Sequence, residues 1–454
     1  MTATTTSLSG GTGDAPIIVT GGRVLDGAGA PPQSGVAVLV HGDTIVAVDA
    51  AATIAAAAPD GTRVVDATGC TVMPGLIDAH CHMTFDDVQS NDELFFHRPA
   101  ALAALLTAFN LPKLLRAGVT SFFDPDTVHG IGPQVRDAID AGAISGPRMA
   151  TGVQALLTSV GGTAGRLIPD QGQVGYAAVV NTVEEMVTTT RRHIKHGADW
   201  IKIHATGSIP THQGELQVWT LDEMKAVCDT AHALGVPVTA HCRNATSTRD
   251  AALAGVDLIL HASFLDDAAL QAVVDAGAAI CPTFTFLANL AEHGGKVGAG
   301  AGMTDIFRGE IKATAAMLRQ AYDEGVRLLC GSESGFALTP YGHWHARELE
   351  VFVEELGLSP TEAITCATRN NALAMRMEGE LGVIAPGYRA DLIVVDGDPT
   401  IDVRLLQDRS RLRAVVSRGC LVDLDAPWPE RRRVPGEKVG NWAAEILTYE
   451  RATR

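Results

Sequence analysis

Between Pro74 and Leu381 the chain alternates short apolar runs with stretches of helical periodicity. The runs are Leu76-Ile77, Val119 to Phe123, Trp200 to Ile203, Val236 to Ala240, Leu258 to Leu260, Ala279-Ile280 and Val326 to Leu329. Helical spacing holds over Thr182 to His196, Asp222 to Leu234 and Ile306 to Glu324. Parallel strands need a long crossover between them, and a helix supplies it, so this alternation predicts parallel βα units. About eight units in roughly 300 residues predict an α/β fold of the closed (β/α)8, TIM-like barrel type. An open doubly wound sheet is the competing architecture, but its Gly-rich phosphate loops, GxGxxG or GxxxxGK[ST], are absent.

The two ends differ from the middle. Ile17-Ile18-Val19, Val36 to Val40 and Thr44 to Val48 are β-branched runs punctuated by Gly21-Gly22, Pro31-Pro32 and Gly42-Asp43. The same texture returns at Asp391-Leu-Ile-Val-Val and Arg413-Ala-Val-Val-Ser. This predicts a small β-sandwich domain built from both termini, residues 16–72 with 383–425, around a barrel at 73–382. Residues 1–15 read as a disordered tail. Residues 426–454, with Arg431-Arg432-Arg433 and Trp442, read as a surface arm, at a subunit contact or in solvent.

Composition narrows the partners. Of 454 residues, 52 are acidic and 35 basic, a net charge of −17, which disfavours nucleic acid and anionic membrane. An apolar content of 46% without low-complexity tracts excludes a disordered or collagen-like chain. The eight cysteines form no CxxC pair and read as reduced thiols. The polar start MTATTTSLSGGTGDAP lacks the marks of a signal peptide, and the longest apolar stretch, Ala100 to Phe109, is too short to span a bilayer. The expectation is a cytoplasmic protein acting on a small molecule, and a homo-oligomer.

In a barrel of this kind, reactive groups sit at the C-terminal ends of strands. The first run leads into Asp78-Ala-His80-Cys-His82. Side chains alternate along a strand, so His80 and His82 share a face and could bind one metal ion. An isolated HxH also arises by chance. Lys202 sits inside the apolar run Trp200 to Ile203, where an unpaired ammonium is costly. It is either paired with a carboxylate, or it has a depressed pKa and serves as a nucleophile or as a carbamate bridging two metals. His241 and His261 close the next two runs, and Glu333 follows Leu328-Leu-Cys-Gly-Ser. A carboxylate there could ligate metal and take a proton from water. The set His80, His82, Lys202, His241, His261 and Glu333 offers nitrogen and oxygen donors, which suit zinc foremost, then manganese, iron or cobalt. Cys81, Cys242 and Cys330 are each out of phase with this set and read as packing residues.

The sequence resembles the amidohydrolase superfamily of metal-dependent hydrolases. The matching segments are Val72-Met-Pro-Gly-Leu-Ile-Asp-Ala-His80-Cys-His82, Gly118-Val-Thr, Gly146-Pro-Arg, Asp199-Trp-Ile-Lys202-Ile, His241, His261 and Gly387-Tyr-Arg-Ala-Asp391-Leu-Ile-Val-Val-Asp396-Gly-Asp-Pro399. It is most similar to the imidazolonepropionase-like and prolidase-like branch, which includes enzymes that cleave N-acyl amino acids, dipeptides and aromatic amides such as ochratoxin. The resemblance implies two divalent metal ions. His80, His82 and the strand-eight acid would hold the first, His241 and His261 the second, with a carbamate on Lys202 bridging them. It further implies hydrolysis of an amide C–N bond by a hydroxide held between the ions, with Glu333 shuttling the proton.

The sequence departs from the family pattern in two places. Glu333 stands where the family usually carries aspartate, which places the carboxylate further into the site and raises the reading of a metal-binding but catalytically weak homologue. Gly161-Gly162-Thr163-Ala164-Gly165 lacks a histidine that relatives often carry, and His204 could take its place against the substrate. Further candidates for substrate contact are Phe85, Asp124 to Thr127, His129, Arg243, Phe284, Phe286, His343 and Trp344. Arg243, if free, would pair with a substrate carboxylate, and the aromatics would wall an apolar pocket. Asp391 and Asp396 read as turn and docking residues. A cyclic-amide hydrolase or deaminase with one metal is the alternative, disfavoured because deaminases of this superfamily do not need Lys202.

Overall fold

A computed structural model describes residues 15–94, 98–161, 169–173, 175–211, 214–298, 302–432 and 434. The fold is α/β. Six parallel strands run side by side in the order Ala177–Val179, Ala155–Leu157, Ile201–His204, Val238–Cys242, Leu258–His261 and Ala279–Cys281. A second parallel group holds Arg148–Thr151, Val119–Asp124 and Leu76–Asp78. Backbone bonds link the two groups in two places. Leu329 N–H donates to the Ile280 carbonyl and Ala79 N–H to that of Cys330 on one side, and Asp199 N–H to that of Thr151 on the other.

Between the strands lie the expected helices, Val183–Lys195, Leu221–His232 and Met303–Asp323. Local chemistry starts and stops them. Thr182 with Glu185, Thr220 with Glu223 and Ser359 with Glu362 form reciprocal capping boxes. Gly255 and Gly277 end two further helices with positive φ, a conformation that costs glycine nothing.

Val326 to Leu329 forms no extended strand. It makes a single parallel bridge, Ile280 to Leu328. The Asn371 side chain satisfies the backbone there, accepting from Cys330 N–H and donating to the Cys330 and Ile77 carbonyls. Two short strands, Arg148–Thr151 and Ala155–Leu157, were invisible to apolar periodicity because they are too short to show a period.

Strands from both chain ends pair. Leu392–Asp396 lies antiparallel to Cys70–Pro74 in a six-stranded sheet that also holds Arg23–Val24 and Leu412–Ser417. A four-stranded sheet holds Ile17–Thr20, Val36–His41, Thr44–Ala50 and Arg63–Asp66. The sheets share an apolar cluster that includes Val19, Val38, Val72, Leu392 and Val416. Asp391 docks this assembly on the barrel strands, accepting from Arg148 Nε at 2.6 Å and from Arg418 N–H at 2.9 Å.

The early part of the C-terminal segment is packed. Trp428 lies under the Arg409 guanidinium, 3.6 Å from its ring centroid, and Arg431 donates to Asp86 at 2.7 Å. Trp442, Arg433, residues 1–14 and Gly162 to Gly165 lie outside the described residues. None of the described helices is long and apolar enough to cross a membrane.

Candidate metal centre

The strand Leu76–Asp78 delivers His80 and His82 to the protein interior, where both are buried with ring centroids 4.8 Å apart. Each is held from behind. Thr283 Oγ1 donates to the Cys281 carbonyl, so its oxygen is free to accept from His80 Nδ1–H at 3.0 Å, and His80 Nε2 is left for the cavity. Thr283 occupies the left-handed region, with φ +56°, which turns its hydroxyl back towards the strand ends. His82 stacks on Phe85 at 4.3 Å. Its Nδ1 is 2.8 Å from Asp126 Oδ1, yet neither atom has an aligned hydrogen bond.

Ile201–His204 points Lys202 and His204 to the same interior face. Lys202 is buried and its Nζ makes no hydrogen bond or ion pair among the described residues, which sets aside the reading of a carboxylate-paired lysine. Burial pulls its ammonium below the usual lysine range, against the opposing charges of Asp126 and Glu333. Parallel register places His204 beside His241, and the rings stack 4.7 Å apart. His204 Nε2 meets Asp126 Oδ2 at 3.2 Å, and His241 Nε2 meets Glu215 Oε2 at 2.9 Å. His261, one register step on, lies 4.5 Å from His241 and 5.4 Å from His80. Its φ of +70° is unusual for a non-glycine residue.

Burial holds the His80, His204, His241 and His261 imidazoles below the usual histidine range, so all four stand neutral, as metal ligation requires. Asp124 and Asp126 split. Burial and the charge of Asp126 push Asp124 well above the carboxylate range. Burial acts on Asp126 too, but His82 and His204 outweigh it and hold it well below. Glu333, also at positive φ, faces the cavity from deep in the fold. Burial pushes its carboxyl up to about 7, against His82, Arg243 and Lys202.

These residues suit a metal. Buried Asp124 Oδ1 and His261 Nε2 have no hydrogen-bond partner, and His82 Nδ1 and Asp126 Oδ1 have none beyond their own unaligned 2.8 Å approach. An orphaned buried polar atom costs about 1–3 kcal/mol, and several of them around one cavity imply a missing partner. Donor atoms of His80, His82 and Glu333 lie within 4.8 Å of one another, as do those of His82, Asp124 and Asp126. Asp78, Cys81 and His345 also cluster, but they form a satisfied network. Gly342 N–H donates to His345 Nε2, His345 Nδ1 meets Asp78 Oδ2 at 2.7 Å, and Ser332 N–H donates to Asp78 Oδ1. The network braces the turn that carries Glu333.

The histidine cluster floors a cavity of about 1380 Å³, walled by Phe264, Phe286, Phe307 and Phe336. His204, Arg243, Phe85, Asp126 and Phe286 line it as expected. The other expected contacts do not: Asp124 accepts from Met83 N–H, Thr127 donates to the Val153 carbonyl, His129 Nε2 meets the Arg98 carbonyl, and Pro125, Phe284, His343 and Trp344 also lie off the lining. Phe284 is buried at the start of the helix Phe284–His293, where the Glu348 carboxylate accepts from its N–H. His343 faces solvent beside Trp428, and Trp344, at φ +57°, turns to His293. Arg243 lines the cavity but is not free, because Glu310 and Glu215 hold its guanidinium. Glu215, Glu310 and the part played by Asp126 escaped sequence reading, since no motif marks an acid that matters only for what it faces.

Residues 71–422 match the Amidohydrolase family, and the chain belongs to it. It is a metal-dependent hydrolase acting on carbon–nitrogen bonds. Among curated relatives it is similar to ochratoxinase from Aspergillus niger, with 27% identity over 80% of this chain and 78% of the relative. It is also similar to imidazolonepropionase from Symbiobacterium thermophilum, with 25% identity over 80% and 84%. Among solved structures, a prolidase complexed with N-methylphosphonate-L-proline superposes with a TM-score of 0.76 and 30% identity, covering 90% of this chain and 99% of that one.

Proposed function

We propose that this chain hydrolyses the amide C–N bond of a small molecule, an N-acyl amino acid, a dipeptide or an aromatic amide, at a binuclear metal centre. The observation that carries the reading is the convergence of His80, His82, Lys202, His241 and His261 from different parallel strands, and of Glu333 from the loop after the Leu328 bridge, on one cavity. The names of the relatives, ochratoxinase and prolidase, support an amide substrate.

His80, His82 and Glu333 would hold one ion and His241 and His261 the other, with a carbamate on Lys202 between them. The unpaired, buried Lys202 amine is the form that reacts with carbon dioxide. Zinc suits this donor set best. When bound, the ions would supply a hydroxide at neutral pH, by lowering the pKa of water from 15.7 to about 7, and would polarise the scissile carbonyl. Glu333, over the His80–His82 pair, would carry the proton to the leaving nitrogen. His204, anchored by Asp126 through Nε2, would contact the substrate. The strand groups and their linking backbone bonds support a closed (β/α)8 barrel at 73–382, with a composite β-sandwich at 16–72 and 383–425. Cysteines buried without a disulfide, such as Cys81, Cys242 and Cys330, fit a cytoplasmic setting, and a homo-oligomer is the expected state.

Elemental analysis of protein purified without chelator tests the centre. About two transition-metal equivalents per chain, with amide hydrolysis, is the expected result. One equivalent would point to a mononuclear site, and none, with no rescue of hydrolysis by added zinc, would sink the reading.

A further inference from the structure

We propose that the site selects amides whose arms carry no carboxylate and seats an uncharged aromatic arm against Phe264, Phe286, Phe307 and Phe336. The inference rests on the hydrolase reading above and narrows its substrate class, favouring the aromatic amide over the N-acyl amino acid and the dipeptide.

The argument starts at Arg243, the residue best placed to greet a substrate carboxylate. Its planar fork matches one carboxylate bidentately, and that partner is already in the protein. Nη2 donates to Glu310 Oε2 at 2.7 Å and to Oε1 at 2.8 Å, and Nε donates to Oε1 at 3.2 Å. Ser263 Oγ donates to the same oxygen at 2.7 Å. Nη1 donates to Glu215 Oε1 at 3.4 Å, while Thr206 Oγ1 donates to Glu215 Oε2 at 2.8 Å. Both glutamates are buried, and Phe307 lies 5.7 Å below the guanidinium. One cation thus faces two buried acidic side chains, and burial raises the Glu215 carboxyl against the pull of Arg243. A substrate carboxylate would have to displace Glu310 from a buried pair or sit beside both acids, and either is unfavourable.

Asp126, Asp305 and Glu333 also line the cavity, and among the described lining residues Lys202 and Arg243 are the lysine and arginine present; the two ions would add positive charge at the histidines, so the bias against a carboxylate applies at Arg243. Carbamate formation would turn Lys202 from cation to anion. Leu287, Leu290 and Ile306 extend the aromatic wall outward, so the volume away from the histidines takes apolar groups.

The test uses metal-loaded, full-length protein and two ligands that differ by one carboxylate, N-benzoylphenylalanine and N-benzoylphenethylamine. Calorimetric binding should favour the uncharged ligand by at least about tenfold, and its kcat/KM should be higher in the same sense. Equal binding, preference for the carboxylated ligand, or binding of neither overturns the inference, even if other amides are cleaved. The expected binding order without cleavage of any amide supports the selectivity and removes the hydrolase reading instead. In Glu310→Gln, which loosens the fork, the preference should narrow by about tenfold. An unchanged preference in the folded variant overturns the role of the clamp. Should the variant not fold, the wild-type ligand pair still decides.

Discussion

Two clusters of charged and ionisable residues face the same cavity and are built in opposite ways. Around His80, His82 and His261, buried polar atoms are left without partners. Around Arg243, one guanidinium bridges two acidic side chains, and donors from Ser263 and Thr206 complete the set. The first cluster is stable only with something added, since unpaired buried polar atoms are costly. The second is complete as it stands and meets an incoming anion with charges already spent. A satisfied cluster shapes selectivity, and an unsatisfied one binds.

The largest effect should come from Lys202→Ala. If the lysine bridges two ions, metal content should fall by about one equivalent or more and kcat/KM by roughly a thousandfold, beyond the 10–100-fold typical of outer-shell changes. Full metal content with near-native activity would erase the contrast between the clusters.

His193 sharpens it from another side. This imidazole is as buried as the cluster histidines, on the helix Val183–Lys195, but it does not line the cavity. Burial lowers its pKa from 6.5 to about 4, with the charges of His196 and Arg192 adding to the effect. The folded state therefore resists its protonation. Its contribution is fully present above pH 6.5, declines as pH falls from there, and is gone below about 4, a change of about 3 kcal/mol. Urea unfolding at pH 7.5 and 4.5 should show wild type losing that much more stability than His193→Gln. Equal losses would show that His193 is not held neutral.

Thr283→Val should weaken metal binding by roughly 10–100-fold, because His80 loses the hydroxyl that fixes its tautomer, and Thr283→Ser should restore it. Competition with a chromogenic chelator measures this, and unchanged affinity in the valine variant would remove Thr283 from the centre. The smallest effect on metal belongs to Glu310→Gln. Its metal content should stay within about 20% of wild type, since no first-cluster residue bonds to Glu310. A loss of an equivalent would mean that the clusters are one unit.

Much of the first cluster was legible because backbone geometry places it. An HxH after an apolar run must put both rings on one face, and residues that end successive parallel strands must lie side by side, so His241 and His261 follow from position. Phe284, His343 and Trp344 were misplaced for a related reason. Phe284 opens a helix and His343 and Trp344 lie in a loop, each beside a positive φ, at Thr283 or Trp344, that redirects the chain with no period to warn of it. The Glu348 carboxylate holding Phe284 N–H comes from 64 positions away.

What the sequence alone determined is the alternation that demands a parallel α/β core, the pairing-prone ends, and the inward row of imidazoles with one lysine among them. Each follows from a short repeat, 2 or 3.6 residues, that the chain carries locally. The tertiary structure alone decided that Asp124 is pushed above the carboxylate range and Asp126 held below it, and that Arg243 is already occupied. Those outcomes depend on desolvation and on partners far apart in sequence, such as Arg243 and Glu310, which differ by 67 positions and meet at 2.7 Å. Charge compensation is set by distance in space, and no local pattern along the chain encodes it.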